Sequence, residues 1–319
     1  MNAESTPVPS VPVVILNWNG WEDTFRCLQS LSDCSDVRCV WLVDNGSSLD
    51  RSEEARKWYR GELRVLRSPE NLGFAGGCNL ALRIAASEGR GFAYLLNNDC
   101  TVSSGFLGSV LAAALSDSRL AAVGSCITYA DSPGHSLFDG GYHPPGVREY
   151  TPFGLKDVRE VNGAGMLIRL EAMQQVGHFD ERFFCYCEET DWCWRALKAG
   201  FRVAVNGQSV VRHRREGSDE NMNARYYRTR NQFLLIERLG IARRWLWKVR
   251  LAWRAAPLAR TSYVEGNPAW HAIGAGVRDG FVSRFGKRTD RPAVFSSRLL
   301  VGLGHLQRLS GSIAGEPHP

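Results

Sequence analysis

An α/β fold with a mostly parallel central sheet flanked by helices is predicted by three features of the sequence. Strand-length apolar runs alternate with helical segments from Val11 to Asp99, the pattern of parallel strands joined by crossover helices. Val11 to Leu16 and Phe92 to Leu96 are apolar almost throughout, as strands covered on both faces are. The runs stop abruptly in small polar residues, Asn17, Asp44-Asn45 and Asn97-Asn98-Asp99, which places those side chains at the carboxyl edge of the sheet, where open α/β folds bind ligands.

In order, Val11 to Asn17 is a strand, Trp18-Asn19-Gly20 a turn, and the next segment a helix with Phe25, Leu28 and Leu31 at helical spacing. Val40 to Val43 is a second strand ending in Asp44-Asn45-Gly46-Ser47-Ser48. A charged helix is expected over Arg51 to Arg60, a short strand over Leu63 to Leu66, and a helix from the Gly73-Phe74-Ala75-Gly76-Gly77 run through Leu82. The Phe92 strand follows. Beyond residue 120 the pattern loosens to a strand over Ala121 to Thr128, a Gly/Pro/His-rich loop from Ser132 to Gly154, and a small-residue segment from Val161 to Arg169. Glu188, Glu189 and Asp191 crowd the first turn of a helix running to about Ala199, with Gly200 placed to end it.

The 319 residues and 44% hydrophobic content allow one large domain, or one domain with an appendage. Residues 1–10 are proline-rich without a basic export signal and read as a disordered tail, and no long apolar span is visible, so a cytoplasmic protein is expected. The nine cysteines show neither zinc nor disulfide-scaffold spacing and read as reduced. Net charge is +6, but from Arg238 onward there are 14 Lys and Arg against 4 Asp and Glu, leaving −4 for the rest. That distribution excludes a nucleic-acid-binding core and describes an acidic domain with a cationic extension.

Asn97 and Asn98 can hydrogen-bond a sugar or ribose, and Asp99 offers a hard oxygen to Mg or Mn beside a diphosphate, although an Asn-rich turn accounts for the same residues. Asp44 stands where a dinucleotide-binding fold carries its ribose-binding acid. The first turn, Asn-Trp-Asn-Gly, nevertheless lacks the G-x-G-x-x-G that brings backbone against a pyrophosphate, so Asp44 is either a nucleotide ligand or a turn cap. Acids favour a helix N-terminus, which explains one or two of Glu188, Glu189 and Asp191; a third suggests proton transfer from an attacking hydroxyl.

Taken together and in order, Val14 to Gly20, Val43 to Ser48, Asn71 to Gly77, Leu95 to Asp99, Phe179 to Phe184 and Glu188 to Arg195 resemble the family 2 inverting glycosyltransferases of GT-A fold, closest to the rhamnosyltransferase-like branch. The resemblance covers roughly residues 11–235. It implies a nucleotide pocket lined by Asn17 and Asp44, with Asn71, Gly76 and Asn79 closing over ribose and phosphates, and Asn97 and Asn98 beside them. Asn97-Asn98-Asp99 matches the family's metal motif, making Asp99 a ligand for Mg or Mn, and His213 matches a histidine that completes the site. Glu189 falls at the general base, where most relatives carry aspartate, with Glu188 and Asp191 orienting base or acceptor. The implied domains are a GT-A domain over 11–238, divided into a nucleotide-binding half (11–99) and an acceptor-binding half (100–238), and a basic helical extension over 239–319. The implied reaction is inverting transfer of a sugar, rhamnose or another deoxysugar favoured, from a dTDP- or UDP-sugar to a glycan or lipid-linked acceptor in cell-surface polysaccharide synthesis. A catalytically weak sugar-binding or scaffold protein is the alternative, suggested by the single metal-motif aspartate and the glutamate at 189.

In the extension, Ile241, Trp245, Val249 and Ala252 share one helical face and Arg243, Arg250 and Arg254 lie opposite. A helix of this kind suits either the surface of an anionic membrane or packing on the catalytic domain, and self-association into a homo-oligomer is a third use of it.

Overall fold

The computed structural model describes residues 10–214, 222–240, 242–288 and 294–313. The tail expected over 1–10 lies, but for Ser10, outside the described residues. Two compact units are present: one holds the residues up to Asp180 with those from Glu189 to Arg214, the other holds Glu181–Glu188 with those beyond 221.

The first unit is an α/β domain. Its elements are β1 (Pro12–Asn17), α1 (Trp21–Ser32), β2 (Cys39–Asn45), α2 (Ser52–Ala55), β3 (Glu62–Ser68), α3 (Gly73–Ser87), β4 (Phe92–Asn97), β5 (Cys100–Val102), α4 (Phe106–Ser116), β6 (Leu120–Tyr129), β7 (Ser136–Phe138), β8 (Leu155–Asp157), β9 (Gly165–Arg169), α5 (Leu170–Val176), α6 (Glu188–Lys198, from its second residue) and β10 (Arg202–His213). The main sheet has the order β3-β2-β1-β4-β9-β6-β10-β5. Its first four strands are all parallel, as the sequence predicts. β9 then runs antiparallel to both neighbours, which makes the sheet as a whole mixed.

All seven residues of β2 are buried, which is why its sequence shows no one-in-two alternation. Each fully buried Val, Leu or Ile contributes about 1.5–3 kcal/mol. The chain winds from β1 outward to β2 and β3, then returns to β4 on the other side of β1. That reversal creates a crevice at the carboxyl ends of β1 and β4. Register brings the polar ends together, Asn17 opposite Asp44 and Leu16 opposite Asn97. Gly77 lets α3 approach β1 closely, since a Cβ there would stand 2.3 Å from Leu16 Cδ1. The N-terminus of α4 is capped from a distance: the Asp36 carboxylate accepts from the backbone N–H groups of Gly105, Leu107 and Gly108 at 3.1, 3.0 and 2.9 Å.

The expected helix over Arg51 to Arg60 is cut to the single turn of α2. Tyr59 is buried, with its hydroxyl 3.3 Å from the Val37 carbonyl, and Arg56 donates to the Leu63 carbonyl at 2.9 Å. These contacts fold the segment back toward β3 and outweigh its helical composition. The loop expected over Ser132 to Gly154 contains the short strand β7.

The second unit contains α7 (Met222–Arg238), α8 (Arg244–Val264), α9 (Ala269–Phe281) and α10 (Val294–Ile313). Its core joins Phe233, Ala256, Ala259, Ile273, Val277, Leu300 and Val301, one contribution or more from each helix. The face of α8 expected from Trp245, Val249 and Ala252 is packed only along its later turns, where Ala256 and Ala259 continue it. Leu251, Ala252, Ala255, Ala256 and Ala259 face this core, whereas Trp245 and Val249 are 63% and 47% exposed; Ile241 lies outside the described residues. Small alanine side chains let helices approach closely, and the bulky tryptophans are left at the surface.

Candidate functional site

At the crevice a hydrogen-bonded network shapes the turns after β1 and β2. Asn17 is fully buried; its Oδ1 accepts from Gly20 N–H at 3.1 Å and Thr24 Oγ1 at 3.0 Å, and its Nδ2 donates to Ser47 Oγ at 3.1 Å. Ser47 Oγ also accepts from Asn19 N–H at 2.9 Å. Asn17 therefore builds the two turns from inside, and its amide does not face the crevice. Sequence reasoning did not single out Ser47, Thr24 or Asn19, although Ser47 and Asn19 stand inside the polar turns that first marked this edge. Asn19, Gly20, Ser48 and Arg51 are among the residues lining a cleft of about 410 Å³ beside these turns.

Asp44 is also fully buried. Its Oδ1 accepts from Ser47 N–H at 3.2 Å, while its Oδ2 has no hydrogen-bond partner; Arg67 Nε lies 3.5 Å from that oxygen, close enough for attraction but out of hydrogen-bond alignment. A buried carboxylate oxygen without a partner is costly, so an N–H or O–H from outside would find a ready acceptor. Asn71 is held by Asn45, whose Nδ2 donates to its Oδ1 at 3.2 Å, and the same Asn71 oxygen accepts from Gly73 N–H at 2.8 Å. Gly76 is buried in the first turn of α3. Asn79 points elsewhere: it is buried, and its amide makes a pair of bonds to the Phe179 backbone at 2.9 and 3.2 Å. It ties α3 to the segment leading to the acidic helix instead of closing over a ligand.

The end of β4 carries the predicted metal residues. Asn98 Nδ2 donates to the Gly20 carbonyl and Thr24 Oγ1, both at 3.1 Å, so it braces the first turn. Asp99 and His213 are far apart in sequence but adjacent in space. β10 pairs antiparallel with β5, His213 opposite Cys100, and His213 Nε2 lies 3.4 Å from Asp99 Oδ1 and 3.5 Å from Asn97 Nδ2. Ligand atoms of Asp99, Cys100 and His213 fall within 4.8 Å of one another. Burial pushes the Cys100 thiol well above its ordinary pKa, and a soft sulfur is a poor match for Mg or Mn. A carboxylate and an imidazole, both partly exposed, remain as a donor pair that fits a divalent cation such as Mn or Mg.

Glu188 opens α6, is buried, and belongs with the second unit; Glu189, half-buried, and Asp191, buried, follow on the same helix in the first. The Asp191 carboxylate is engaged: Arg195 Nε donates to it at 2.8 Å, and the guanidinium also reaches the carbonyls of Val176 and His178 at 2.7 and 2.8 Å. Asp191 thus anchors α6 through Arg195. Before α6 the backbone is unusual: Phe184, Tyr186 and Cys187 have φ of 64°, 68° and 73°. Each costs on the order of 1–3 kcal/mol in a non-glycine residue.

Comparison with known proteins agrees with this architecture. Over 250 residues the chain is 26% identical to the low-salt glycan biosynthesis hexosyltransferase Agl10 of Haloferax volcanii, covering 72% of this chain and 76% of that one. It is 28% identical over 288 residues to the N-acetylglucosaminyl-diphospho-decaprenol L-rhamnosyltransferase of Mycobacterium tuberculosis, covering 79% and 94%. In fold it resembles the mannosyltransferase PcManGT from Pyrobaculum calidifontis, solved with GDP-Man and Mn2+, with a TM-score of 0.57 at 13% identity, over 98% of this chain and 77% of that one. The fold is GT-A. Residues 13–177, just over half of the chain, match the family model described as Glycosyl transferase family 2, and the chain belongs to that family of glycosyltransferases.

Proposed function

We propose that this transferase is metal-assisted and inverting, moving a deoxysugar, rhamnose favoured, from a dTDP- or UDP-sugar to a hydroxyl of a glycan or lipid-linked acceptor in cell-surface polysaccharide synthesis. The observation that carries the reading is the Asp99–His213 pair at the carboxyl edge of the same sheet that holds the Asp44 oxygen without a hydrogen-bond partner. The relatives named for hexosyl and rhamnosyl transfer support the sugar class. Residues 11–99 serve as the nucleotide-binding half, 100–238 as the acceptor-binding half and 239–319 as the basic extension.

In this reading Asp44 accepts a hydrogen bond from the donor's base or ribose, and Asn71, Gly76 and Asn97 flank the ribose and phosphates. Asp99 and His213 hold the cation. Bound there, Mg or Mn supplies positive charge against the departing diphosphate. Glu189 takes the proton of the acceptor hydroxyl as its oxygen bonds to the anomeric carbon from the face opposite the diphosphate. The anomeric C–O bond breaks with its electron pair on the nucleoside diphosphate, and configuration inverts. Asn17, Asn79 and Asp191 support the turns and helix that carry these groups.

A panel of nucleotide sugars, assayed for hydrolysis and transfer with and without Mn, tests the reading. Mn-dependent turnover of a dTDP- or UDP-deoxysugar supports it. Binding without turnover, with donor and acceptor candidates together, would favour a scaffold.

The extension is read as a reversible contact with the cytoplasmic face of an anionic membrane. No helix of the described residues is long and apolar enough to cross a bilayer. α8 instead exposes Trp245, Trp247 and Trp253, with the Arg250 guanidinium over the Trp247 ring at 5.6 Å, within the sequence from Arg238 onward, whose net charge is +10. Tryptophans suit the headgroup layer, and each Lys or Arg near an anionic leaflet contributes about 1 kcal/mol.

A further inference from the structure

From Phe183 to Glu188 the chain follows a path that its own residues resist, because none of the three left-handed positions is glycine or asparagine. What holds that path is α7. The Asn231 amide nitrogen faces the carbonyl oxygens of Phe183, Cys185 and Tyr186 at 3.0, 2.8 and 2.6 Å. Arg230 Nη2 donates to the carbonyls of Phe183 and Arg182 at 2.7 and 3.0 Å, and its Nη1 donates to that of Gly286. Arg230 also donates to Asn231 Oδ1 through Nε at 2.9 Å and Nη2 at 2.6 Å, which turns the amide nitrogen of Asn231 toward the loop. The Phe184 ring stacks on Tyr227 with centroids 5.0 Å apart, and the Arg228 guanidinium sits 4.6 Å above the Tyr186 ring. Four residues of α7, Tyr227, Arg228, Arg230 and Asn231, thus grip one short loop.

Arg230 is 1% exposed and Asn231 is 0% exposed. Burying a guanidinium and an amide is costly unless their donors are used, and most of these are used on backbone oxygens of a segment with little regular structure of its own. The loop ends at Glu188, which opens α6, and Glu189 is the next residue. We propose that Arg230 and Asn231 are positioning residues for the transfer reaction: they hold the left-handed loop whose last residue, Glu188, opens α6 directly before Glu189. The inference rests on the reading of Glu189 as the base. Neither side chain touches the reacting atoms in this account; both act through the backbone of Phe183 to Tyr186.

The experiment uses the full chain as wild type, Asn231→Ala, the milder Arg230→Lys, and Glu189→Gln. Transfer kcat and donor KM are measured together with thermal midpoint and the rate at which N-ethylmaleimide modifies Cys185 and Cys187, which are half-buried in the gripped loop. Releasing the loop should speed modification of those two thiols several-fold and lower kcat by about 10²-fold, with donor KM unchanged, because an ångström of misplacement is that costly at a reacting centre. Faster modification at unchanged kcat would overturn the proposal, as would unchanged modification. If both α7 variants lost donor affinity and thermal midpoint along with kcat, the role would be general folding and the proposal would fall. An active Glu189→Gln enzyme overturns the base assignment and the positioning role with it; an inactive Glu189→Gln beside a fully active Asn231→Ala overturns the positioning role alone.

Discussion

His213 Nε2 stands 3.4 Å from Asp99 Oδ1, brought there by the antiparallel pairing of β10 with β5. Asp99→Ala should abolish the Mn-dependent part of donor affinity and leave the fold intact, since the side chain lies at a polar strand end and is partly exposed. His213→Ala should weaken Mn affinity with a smaller effect on donor binding in its absence. Calorimetry of donor binding with and without Mn checks both. Identical affinities in wild type and Asp99→Ala would remove the metal from this site.

Glu189 and Asp191 should separate cleanly. Glu189→Gln keeps shape but cannot accept a proton, so transfer should fall by roughly 10²-fold or more at unchanged thermal midpoint. Asp191→Asn breaks the 2.8 Å ion pair with Arg195 and should lower stability by about 2 kcal/mol. Thermal melts and single-turnover assays on the two variants read the difference. Loss of transfer in Asp191→Asn at full stability, beside an active Glu189→Gln, would move the base to Asp191.

Asp44→Asn replaces the buried acceptor oxygen with an amide. Donor KM should rise by about tenfold or more while kcat at saturation changes little, because a buried polar pair is lost without touching the reacting atoms. Thermal stability should fall modestly, since the buried amide nitrogen that replaces Oδ2 faces the Arg67 guanidinium, which the carboxylate attracted. A steady-state titration of the donor decides it; an unaltered KM would leave Asp44 as a turn cap through Ser47.

Trp245→Glu and Trp247→Glu, both at exposed positions of α8, should reduce co-sedimentation with anionic vesicles while leaving donor hydrolysis unchanged. Wild-type binding should weaken as salt rises. Equal sedimentation of wild type and variants, or none by either, would leave these tryptophans for a protein contact.

What the sequence determined by itself is whatever depends on local composition and period. β1, β2 and β4 were legible because strands buried on both faces are apolar without interruption, and α6 because acids crowd its first turn and Gly200 follows its last. The polar residues ending each run located the crevice, since parallel strands must present their carboxyl ends on one edge. Tertiary structure alone decided where those polar groups point. Asn17 and Asn79 have the composition of ligand-binding residues, yet Ser47, Thr24 and the Phe179 backbone, remote in sequence, turn them inward. The same holds for the truncation of α2 by Tyr59, for the covering of only the later, alanine part of the α8 face, and for the grip of Arg230 and Asn231 on the loop before Glu188. A buried polar group must find its partner wherever the fold supplies one, and no periodicity within a short window records a partner that is dozens of residues away.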